Sequence, residues 1–246
     1  MEKIVGQIKK EHTLLACSQV SRAFEHYSFR QLFRCLHICC GEGTFGTFHR
    51  LMPRSHRIFQ YVEELGIGCR MFPHESGHQQ LCQVLKLFAE YSDGCLEKIV
   101  LQRISWVQLA GSLRTALMAL LAYPSVKTLE FEYVNGFPLT AFRHVSPGLK
   151  TFRTTKTECN PDLLEDAPED SSITIPAARP EQLIISSKGS LESRLIDHVP
   201  NSLDVSHLAL LTMVVRFKTD WELMQRLMQN ASNTLECVSV AFQSGM

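Results

Sequence analysis

The chain has 246 residues, of which 45% are apolar, so it is long enough to bury one large core or two small ones. Its 25 basic residues balance 25 acidic ones, which excludes the strong positive charge that draws proteins onto nucleic acid or anionic membranes. The longest apolar run, Ala116 to Tyr123, has eight residues, and a membrane-spanning helix needs ~20. We therefore expect neither a nucleic-acid partner nor a membrane partner.

The first residues, MEKIVGQIKKEH, have no apolar core of signal-peptide length, which predicts residence in the cytosol or nucleus. Nine cysteines are present, and none of them forms a CxxC pair. In a reducing compartment we interpret cysteines as small buried hydrophobic residues and not as a disulfide framework.

The first predicted element is a small helical cap. Ile4, Val5 and Ile8 predict a short helix at the start of the chain. A longer apolar helical pattern follows at Leu14, Leu15, Cys17, Val20, Phe24, Leu32 and Phe33.

Cysteine and histidine alternate in the strand-like segment that comes next. Cys35, His37 and Cys39 would lie on one face of a strand, with Cys40 beside them. Zinc sites commonly use spaced pairs in turns that let the side chains converge, and a row along a strand does not converge unaided. We interpret the row as a packed strand face and predict no metal site in it.

The segment Gly41–Gly46 matches G-x-G-x-x-G, a glycine pattern typical of phosphate-binding loops. No lysine follows until Lys86, and the sequence has neither the H-R-D nor the D-F-G triplet of a kinase. A dinucleotide site needs a helix after the third glycine, and only a short one fits before Pro53. We predict a loop and no bound cofactor.

His74-Glu75-Ser76-Gly77-His78 matches the H-E-x-x-H pattern of zinc hydrolases. Pro73 before the motif and Gly77 within it disfavour one helix carrying both histidines. The amphipathic helix is predicted to begin only near Leu81, and Glu97 is the downstream candidate for a third ligand. We predict no catalytic residue and keep a zinc hydrolase as a distant alternative.

A frame of the form apolar-x-x-apolar-x-apolar recurs seven times along the chain, and its last two apolar positions share one side of a strand. The frames begin at Val62, Leu96, Val126, Leu149, Pro180, Leu208 and Leu235. Their starts are separated by 34, 30, 23, 31, 28 and 27 residues, close to the ~20 to 29 of a leucine-rich repeat but uneven.

Helical stripes lie between the frames. They are formed by Leu81, Val84, Leu85 and Phe88, by Leu113, Ala116, Leu117, Leu120 and Leu121, and by Trp221, Met224, Leu227 and Met228, the last opened by a capping candidate at Asp220. One strand and one helix cannot bury their apolar sides alone, so neighbouring units must stack. The predicted fold class is therefore α/β: an irregular leucine-rich-repeat solenoid, with a parallel sheet covered by helices and a short helical segment at its N-terminus.

The stretch Glu158–Ser172 interrupts this rhythm. Its sequence, ECNPDLLEDAPEDSS, contains six acidic residues and two prolines but few apolar ones. We predict an exposed acidic loop.

The run from Thr13 to Ile38, TLLACSQVSRAFEHYSFRQLFRCLHI, contains L-x-x-C-S-x-V-S-R-x-F followed by L-F-R. It resembles the second half of the F-box in large fungal families of F-box-like proteins. Those families continue with a loop, a short helix and irregular leucine-rich repeats, similar to Phe48–Ile67 and Leu96–Leu139 here. The resemblance implies three regions: a truncated F-box-like helical segment at 1–38, a connecting loop and short helix at 39–60, and the solenoid at 61–246 with its acidic loop at 158–172.

In that family the F-box docks a Skp-family adaptor of a cullin-type ubiquitin ligase. An F-box usually opens with a Leu-Pro pair and an apolar helix, whereas this chain begins at Met1 within what would be that helix. The resemblance implies a set of candidate adaptor-contact residues: Ile4, Ile8, Leu14, Leu15, Val20 and Phe24. The same residues could instead pack the helical cap against the first repeat.

We therefore predict a protein-protein interaction module without enzymatic activity, specifically a substrate receptor of a cullin-type ligase that binds an unknown target protein. A stand-alone leucine-rich-repeat scaffold without adaptor binding is the alternative. Residues expected to be exposed on the strands or beside them, and so available to a target, are Glu97, Gln102, Lys127, Glu130, Glu132, Ser186 and Arg216.

Overall fold

The computed structural model describes residues 5, 8, 10–40, 56–69, 75–92, 94–160, 178–186 and 203–242. In these residues the protein is a mixed α/β structure with a parallel sheet of eight strands. The α-helices are α1 Glu11–Ser18, α2 Arg22–Phe33, α3 Glu75–Tyr91, α4 Gly111–Leu121 and α5 Lys218–Asn230. The strands are β1 Cys35–Cys40, β2 Glu64–Cys69, β3 Lys98–Gln102, β4 Thr128–Glu132, β5 Asn135–Pro138, β6 Thr151–Thr155, β7 Glu158–Asn160, β8 Gln182–Ile185, β9 Leu210–Val215 and β10 Cys237–Phe242.

The main sheet has the order β1-β2-β3-β4-β6-β8-β9-β10, and every neighbouring pair is parallel. The strand positions of the seven sequence frames are paired side by side across this sheet. One row is Leu65, Ile99, Leu129, Phe152, Leu183, Leu211 and Val238, and the other is Ile67, Leu101, Phe131, Thr154, Ile185, Met213 and Val240. The predicted parallel strands and their common register are confirmed.

Each strand is attached to the next by the same backbone arrangement, which we call a strand joint. The carbonyl oxygen of Arg34, just before β1, accepts hydrogen bonds from the N–H groups of Glu63 and Glu64 at the start of β2, both at 2.9 Å. The joint recurs with the carbonyls of Glu63, Glu97, Lys127, Lys150, Glu181 and Ala209 as acceptors. The first residues of neighbouring strands in the main sheet are therefore aligned with one another, although the connections between the strands differ in length.

Helices and apolar connections cover one side of the sheet and bury the two rows from β2 to β9 in one continuous core, whereas Val238 of β10 is exposed. The stripe on α3 is buried as predicted, and so are the leucines of the stripe on α4, whereas Ala116 is half-buried. On α5, Met224 and Leu227 are buried, but Trp221 is 41% exposed and Leu223 is buried instead. The prediction that Trp221 faces the core is wrong.

Helix α5 begins at Lys218, so Asp220 lies inside its first turn and is not the residue that precedes the helix. The Asp220 carboxylate accepts hydrogen bonds from the backbone N–H groups of Arg216 at 2.8 Å and Phe217 at 2.9 Å. A carboxylate at this end also interacts favourably with the helix dipole. The predicted capping role is confirmed, with the residue in a different position.

A cluster of aromatic rings fills the middle of the core. The ring centroid of Phe131 lies 4.8 Å from Phe137 and 5.5 Å from Phe152, and Trp106 lies 4.8 Å from Phe137. Phe137 belongs to β5, which pairs with β7 in a second, two-stranded sheet. Because β7 is Glu158–Asn160, the predicted acidic loop is wrong for its first three residues, and residues 161–172 lie outside the described part.

The N-terminal helices pack on the first units of the sheet. Phe29 of α2 lies 6.4 Å from Tyr61, ring to ring, in the short 3-10 helix His56–Tyr61. Arg34 Nε lies 2.8 Å from Glu63 Oε2, and Arg30 Nη2 lies 3.2 Å from Glu63 Oε1. Strand β1 crosses residue 38, where the sequence placed a domain boundary, so the helical segment runs directly into the sheet.

Among the described residues, no helix combines the length and the apolarity that crossing a bilayer requires.

Candidate functional site

The side of the sheet that faces away from the core carries mostly polar side chains, because successive residues of a strand point to opposite faces. We call the outward residues of β2, β3, β4 and β6 the polar face. They are Glu64, Gly66 and Gly68, then Lys98, Val100 and Gln102, then Thr128, Glu130 and Glu132, then Thr151, Arg153 and Thr155. The corresponding positions of β8, β9 and β10 carry no charge: Gln182 and Ile184, then Leu210, Thr212 and Val214, then Cys237, Ser239 and Ala241.

Four charged side chains of alternating sign run across the polar face. Lys98 Nζ lies 3.4 Å from Glu64 Oε1 and 3.3 Å from Glu130 Oε2. Arg153 Nη1 lies 3.7 Å from Glu130 Oε1. The Glu130 side chain is only 13% exposed, whereas that of Arg153 is 47% exposed. This network fixes the positions of its charges, which suits recognition of a complementary partner.

The residues that the sequence analysis predicted to be exposed contacts lie in three different parts of the structure. Gln102, Glu130 and Glu132 lie on the polar face, where Gln102 Nε2 donates to Glu132 Oε2 at 2.9 Å. Glu97 and Lys127 precede β3 and β4 and form an ion pair with each other at the edge of the sheet. Ser186 after β8 and Arg216 after β9 are half-buried.

The row of Cys35, His37 and Cys39 lies on the outward side of β1, and Leu36 and Ile38 face the core. Cys35 and His37 are exposed, so the prediction of a packed strand face is wrong for them. A Cβ on Gly66 would lie 2.1 Å from His37 Nδ1, which shows that the imidazole lies directly against the glycine backbone. The absence of a side chain at Gly66 is what makes room for the His37 ring.

Two of the described cysteines are exposed, Cys35 and Cys237, so the prediction that the cysteines are buried hydrophobic residues is wrong for both. Partial burial and then the nearby Glu64 carboxylate raise the pKa of the Cys35 thiol above its ordinary value. A raised pKa reduces the fraction of thiolate, which is the reactive form. The geometry therefore gives Cys35 no features of an activated nucleophile.

Among the described residues, no three His, Cys, Asp or Glu side chains come together in a way that could hold a metal ion. Helix α3 begins at Glu75, earlier than the predicted start near Leu81, so His78 lies in its first turn. His74 lies outside the described residues, as does Gly41–Gly46. The zinc-hydrolase alternative stays a prediction, and zinc analysis of the purified protein is its test.

Three residues that the sequence analysis missed follow directly after β3, β4 and β6. Arg103, Tyr133 and Lys156 have φ values of 54°, 56° and 49°, in the left-handed region that costs an L-residue about 1–2 kcal/mol. Each comes two residues after the last inward position of its frame, but Val215 at the same position of another frame lies inside a strand without positive φ, so the position alone could not have located them. Backbone strain of this kind concentrates at functional sites.

The candidate adaptor-contact residues differ in exposure. Leu14 of α1 is 3% exposed and is therefore part of the packing between helices. Leu15 is 50% exposed and Val20, in the turn before α2, is 70% exposed. Ile8 and Phe24 are half-buried, and Ile4 lies outside the described residues. Leu15 and Val20 are thus the members of this set with side chains open to a partner.

Comparison with known proteins adds no family. No family model matches the sequence, and no curated protein matches it. One similar solved structure is the crystal structure of a protein from Bacteroides fragilis, a structural-genomics target, with 12% sequence identity, 76% of this chain and 68% of that chain covered, and a TM-score of 0.32. A likeness at that score supports no inference about fold or function.

Proposed function

We propose that the chain is a protein-protein interaction module, an irregular leucine-rich-repeat solenoid that binds a target protein with its polar face. The observation that carries this proposal is the strand joint, which recurs at all seven steps between neighbouring strands of the described sheet. A repeated joint between units of unequal length is what a stack of repeats requires. The uneven spacing of 23 residues from Lys127 to Lys150 and 34 from Glu63 to Glu97 fits an irregular solenoid.

The polar face supports the binding role because its side chains come from four successive units and are already held in place. Recognition by such a face depends on the pattern of charges, which favours a complementary partner and disfavours others. Arg153 and Lys98 keep enough exposed surface to contact a partner while paired with Glu130. The function therefore needs no bond-making step and no cofactor.

A direct test compares two pairs of substitutions, each of which removes one amide side chain and one cationic side chain. Gln102→Ala with Arg153→Ala removes two side chains of the polar face, and Gln229→Ala with Lys218→Ala removes two on the surface of α5. We expect quantitative affinity purification to lose target proteins with the first pair and to keep them with the second. Identical sets of co-purifying proteins with both pairs and the wild type would contradict a role for the polar face.

The module acts, in this proposal, as a substrate receptor of a cullin-type ubiquitin ligase and contacts a Skp-family adaptor through α1 and the turn before α2. The resemblance of residues 13–38 to an F-box supports this assignment. So does the exposure of Leu15 and Val20, because exposed apolar side chains of this size are available to an interface. The ion pairs of Arg30 and Arg34 with Glu63 would transmit the position of the helices to the sheet.

The adaptor is tested by co-purification with a recombinant Skp-family protein. We expect the wild type to retain the adaptor and the Leu15→Ser/Val20→Ser variant to lose it. Val107→Ser is the matched control, because Val107 is 51% exposed and lies on a different part of the chain. A folded wild-type protein that never retains the adaptor would rule out the ligase role.

The second candidate is a stand-alone scaffold in which the helical segment caps the first strand and binds no adaptor. The burial of Leu14 and the packing of Phe29 against Tyr61 favour it, because both contacts stabilise the chain itself. In that case Leu15→Ser/Val20→Ser leaves all interactions of the protein unchanged. The polar-face experiment applies equally to both candidates.

A further inference from the structure

Arg103, Tyr133 and Lys156 occupy equivalent positions in three neighbouring units. They are the non-glycine residues with positive φ in the described part of the chain, and each is the first residue after its strand. Their backbones continue the strand pairing by one step, since Arg103 N donates to Glu132 O at 2.8 Å and Tyr133 N donates to Thr155 O at 2.9 Å. The left-handed conformation therefore sets the direction of three side chains at one edge of the sheet.

The three side chains contact one another in the order of the strands. Lys156 Nζ donates a hydrogen bond to Tyr133 Oη at 2.9 Å and lies 4.8 Å from the centre of the tyrosine ring. Arg103 follows β3, the neighbour of β4 on the opposite side from β6, and its Cζ lies 5.8 Å from the same ring centre. All three side chains are exposed, and Tyr133 is 45% exposed. We call these residues the cation-tyrosine cluster.

Within the described part of the chain, the charge of this cluster is not neutralised by ion pairing. Among the described residues, neither Arg103 nor Lys156 has a carboxylate within ion-pair distance, whereas other basic residues beside or on the strands do: Arg34, Lys98, Lys127, Lys150, Arg153 and Arg179. The nearby Glu132 carboxylate accepts the amide of Gln102 on the polar face. The hydrogen bond and charge of Lys156 lower the pKa of Tyr133, so the local field favours negative charge.

We propose that the cation-tyrosine cluster is a binding site for an oxyanion, the phosphate or carboxylate group of a protein segment. A guanidinium offers several donors in a planar fork and an ammonium offers a compact charge, and together they are the groups that bind such oxyanions in proteins. The tyrosine hydroxyl adds a third donor and its ring holds both cations in position. The inference rests on the proposed function in one respect, namely that a protein partner carries the oxyanion.

Small probes test the site without any adaptor or target. The ¹⁵N-labelled chain is titrated with inorganic phosphate and with three short peptides that differ only in a central phosphoserine, glutamate or serine. We expect saturable shifts of the Arg103, Tyr133 and Lys156 amides and of the Arg103 side-chain N–H with phosphate and with the acidic peptides, and none with the serine peptide. Tighter binding of phosphoserine identifies phosphate as the preferred source, and equal binding of glutamate identifies a carboxylate.

Variants locate the binding and separate it from effects on folding. Arg103→Gln and Lys156→Gln should each weaken the binding of the best peptide at least tenfold, and Glu132→Gln should strengthen it by removing the nearby negative charge. Lys127→Gln is the control, because it removes the same charge from an ion pair before β4. The proposal is overturned if no probe saturates, or if the Arg103→Gln/Lys156→Gln double variant binds as the wild type does while its other amide signals are unchanged. Such a failure leaves the adaptor and polar-face experiments untouched.

Discussion

The same sequence frame forms a buried strand in the middle of the sheet and a partly exposed strand at β10. In β4 and its neighbours the inward residues are fully buried, with Leu129 and Phe131 both at 0% exposure. In β10 the equivalent Val238 is 37% exposed, and Phe242 at the end of that strand is 72% exposed. A frame of apolar residues therefore predicts a strand but not its burial. Among the described strands β1 and β10 each have one neighbour, and Ile38 of β1 is nevertheless only 3% exposed, so burial at an end of the sheet depends on what covers the strand.

The sharpest test of this difference removes one phenylalanine from each region. Phe131→Ala should lower the free energy of unfolding by about 3–5 kcal/mol, because Phe131 is fully buried against three other phenylalanine rings. Phe242→Ala should change it by less than about 0.5 kcal/mol, because little of that ring leaves water on folding. Urea denaturation measures both values.

Similar losses in the two variants would contradict the contrast between the regions. A large loss in Phe242→Ala alone would mean that β10 is covered in solution by an element that the described residues do not include. The contact of the Phe242 ring with Trp221, whose centroids are 6.3 Å apart, would then be part of a larger packed surface.

The middle of the sheet also contains a buried hydroxyl group that a substitution can replace with a methyl group. Thr154 occupies an inward position at 0% exposure, and its Oγ1 has no hydrogen-bond partner among the residues that the structure describes. Thr154→Val should raise the free energy of unfolding by about 1 kcal/mol, since a methyl group replaces an unsatisfied buried hydroxyl.

Thr157→Val is the matched control for that substitution. Thr157 is equally buried, but its hydroxyl donates to the carbonyls of Phe131 at 3.4 Å and Thr155 at 3.3 Å. This variant should lose about 1 kcal/mol, because two carbonyls lose a donor. Thermal unfolding of the two variants should shift in opposite directions, and a shift in the same direction would disprove the explanation.

On the polar face, the charge network should contribute more than the ion pairs at the edge of the sheet. Glu130 is 13% exposed and pairs with Lys98 and Arg153, whereas Glu181 is 53% exposed and pairs with Lys150 alone. Glu130→Gln should cost about 1 kcal/mol and Glu181→Gln no more than a few tenths, because exposed pairs are largely screened. Equal losses measured in low and in high salt would exclude a network effect.

A pH-dependent effect is expected near the C-terminal strands, at Asp204. The Ser206 hydroxyl and then the Ser206 backbone N–H donate to its carboxylate, and these hydrogen bonds, with the Arg179 charge, lower its pKa below 3.8. Asp204→Asn should cost about 0.5 kcal/mol at neutral pH, at the low end for a capping residue. At pH values above the ordinary pKa of an aspartate, the ionised Asp204 carboxylate stabilises the fold. This stabilisation is lost as the pH falls through the lower pKa that Asp204 has in the folded protein. The stabilities of the two proteins should therefore converge as pH falls below 3.8 and separate again as pH rises, and parallel pH curves would contradict this.

The strands were predictable because their signal is local and short. The inward positions of each of the seven frames can be recognised from the alternation of apolar residues within six positions. In six of the seven frames these positions are buried. Phe33-x-x-Leu36-x-Ile38 also fits the frame, with Phe33 at the end of α2 and Leu36 and Ile38 on β1, whereas the alternating Cys35, His37 and Cys39 lie on the other side of that strand. The pattern that was missed was present in the sequence.

The cation-tyrosine cluster could not be predicted in the same way. Its three residues are 30 and 23 residues apart, from Arg103 to Tyr133 and from Tyr133 to Lys156, and they meet only because the strand joints align β3, β4 and β6. No local rule assigns a left-handed backbone to arginine, tyrosine or lysine, which all disfavour it. Trp221 was predicted wrongly for a related reason, since the helical period alone does not determine which residues of α5 face the core, and Leu223 is buried in its place.

The strand joints have a consequence for how this chain tolerates change in length. Each joint fixes a carbonyl and two N–H groups at the start of the strands and places no condition on the residues that return to the next strand. A few extra residues inserted in such a return path cost little loop entropy, because that entropy grows only slowly with length. Spacings from 23 to 34 residues between neighbouring joint carbonyls are therefore compatible with one common alignment of the strands.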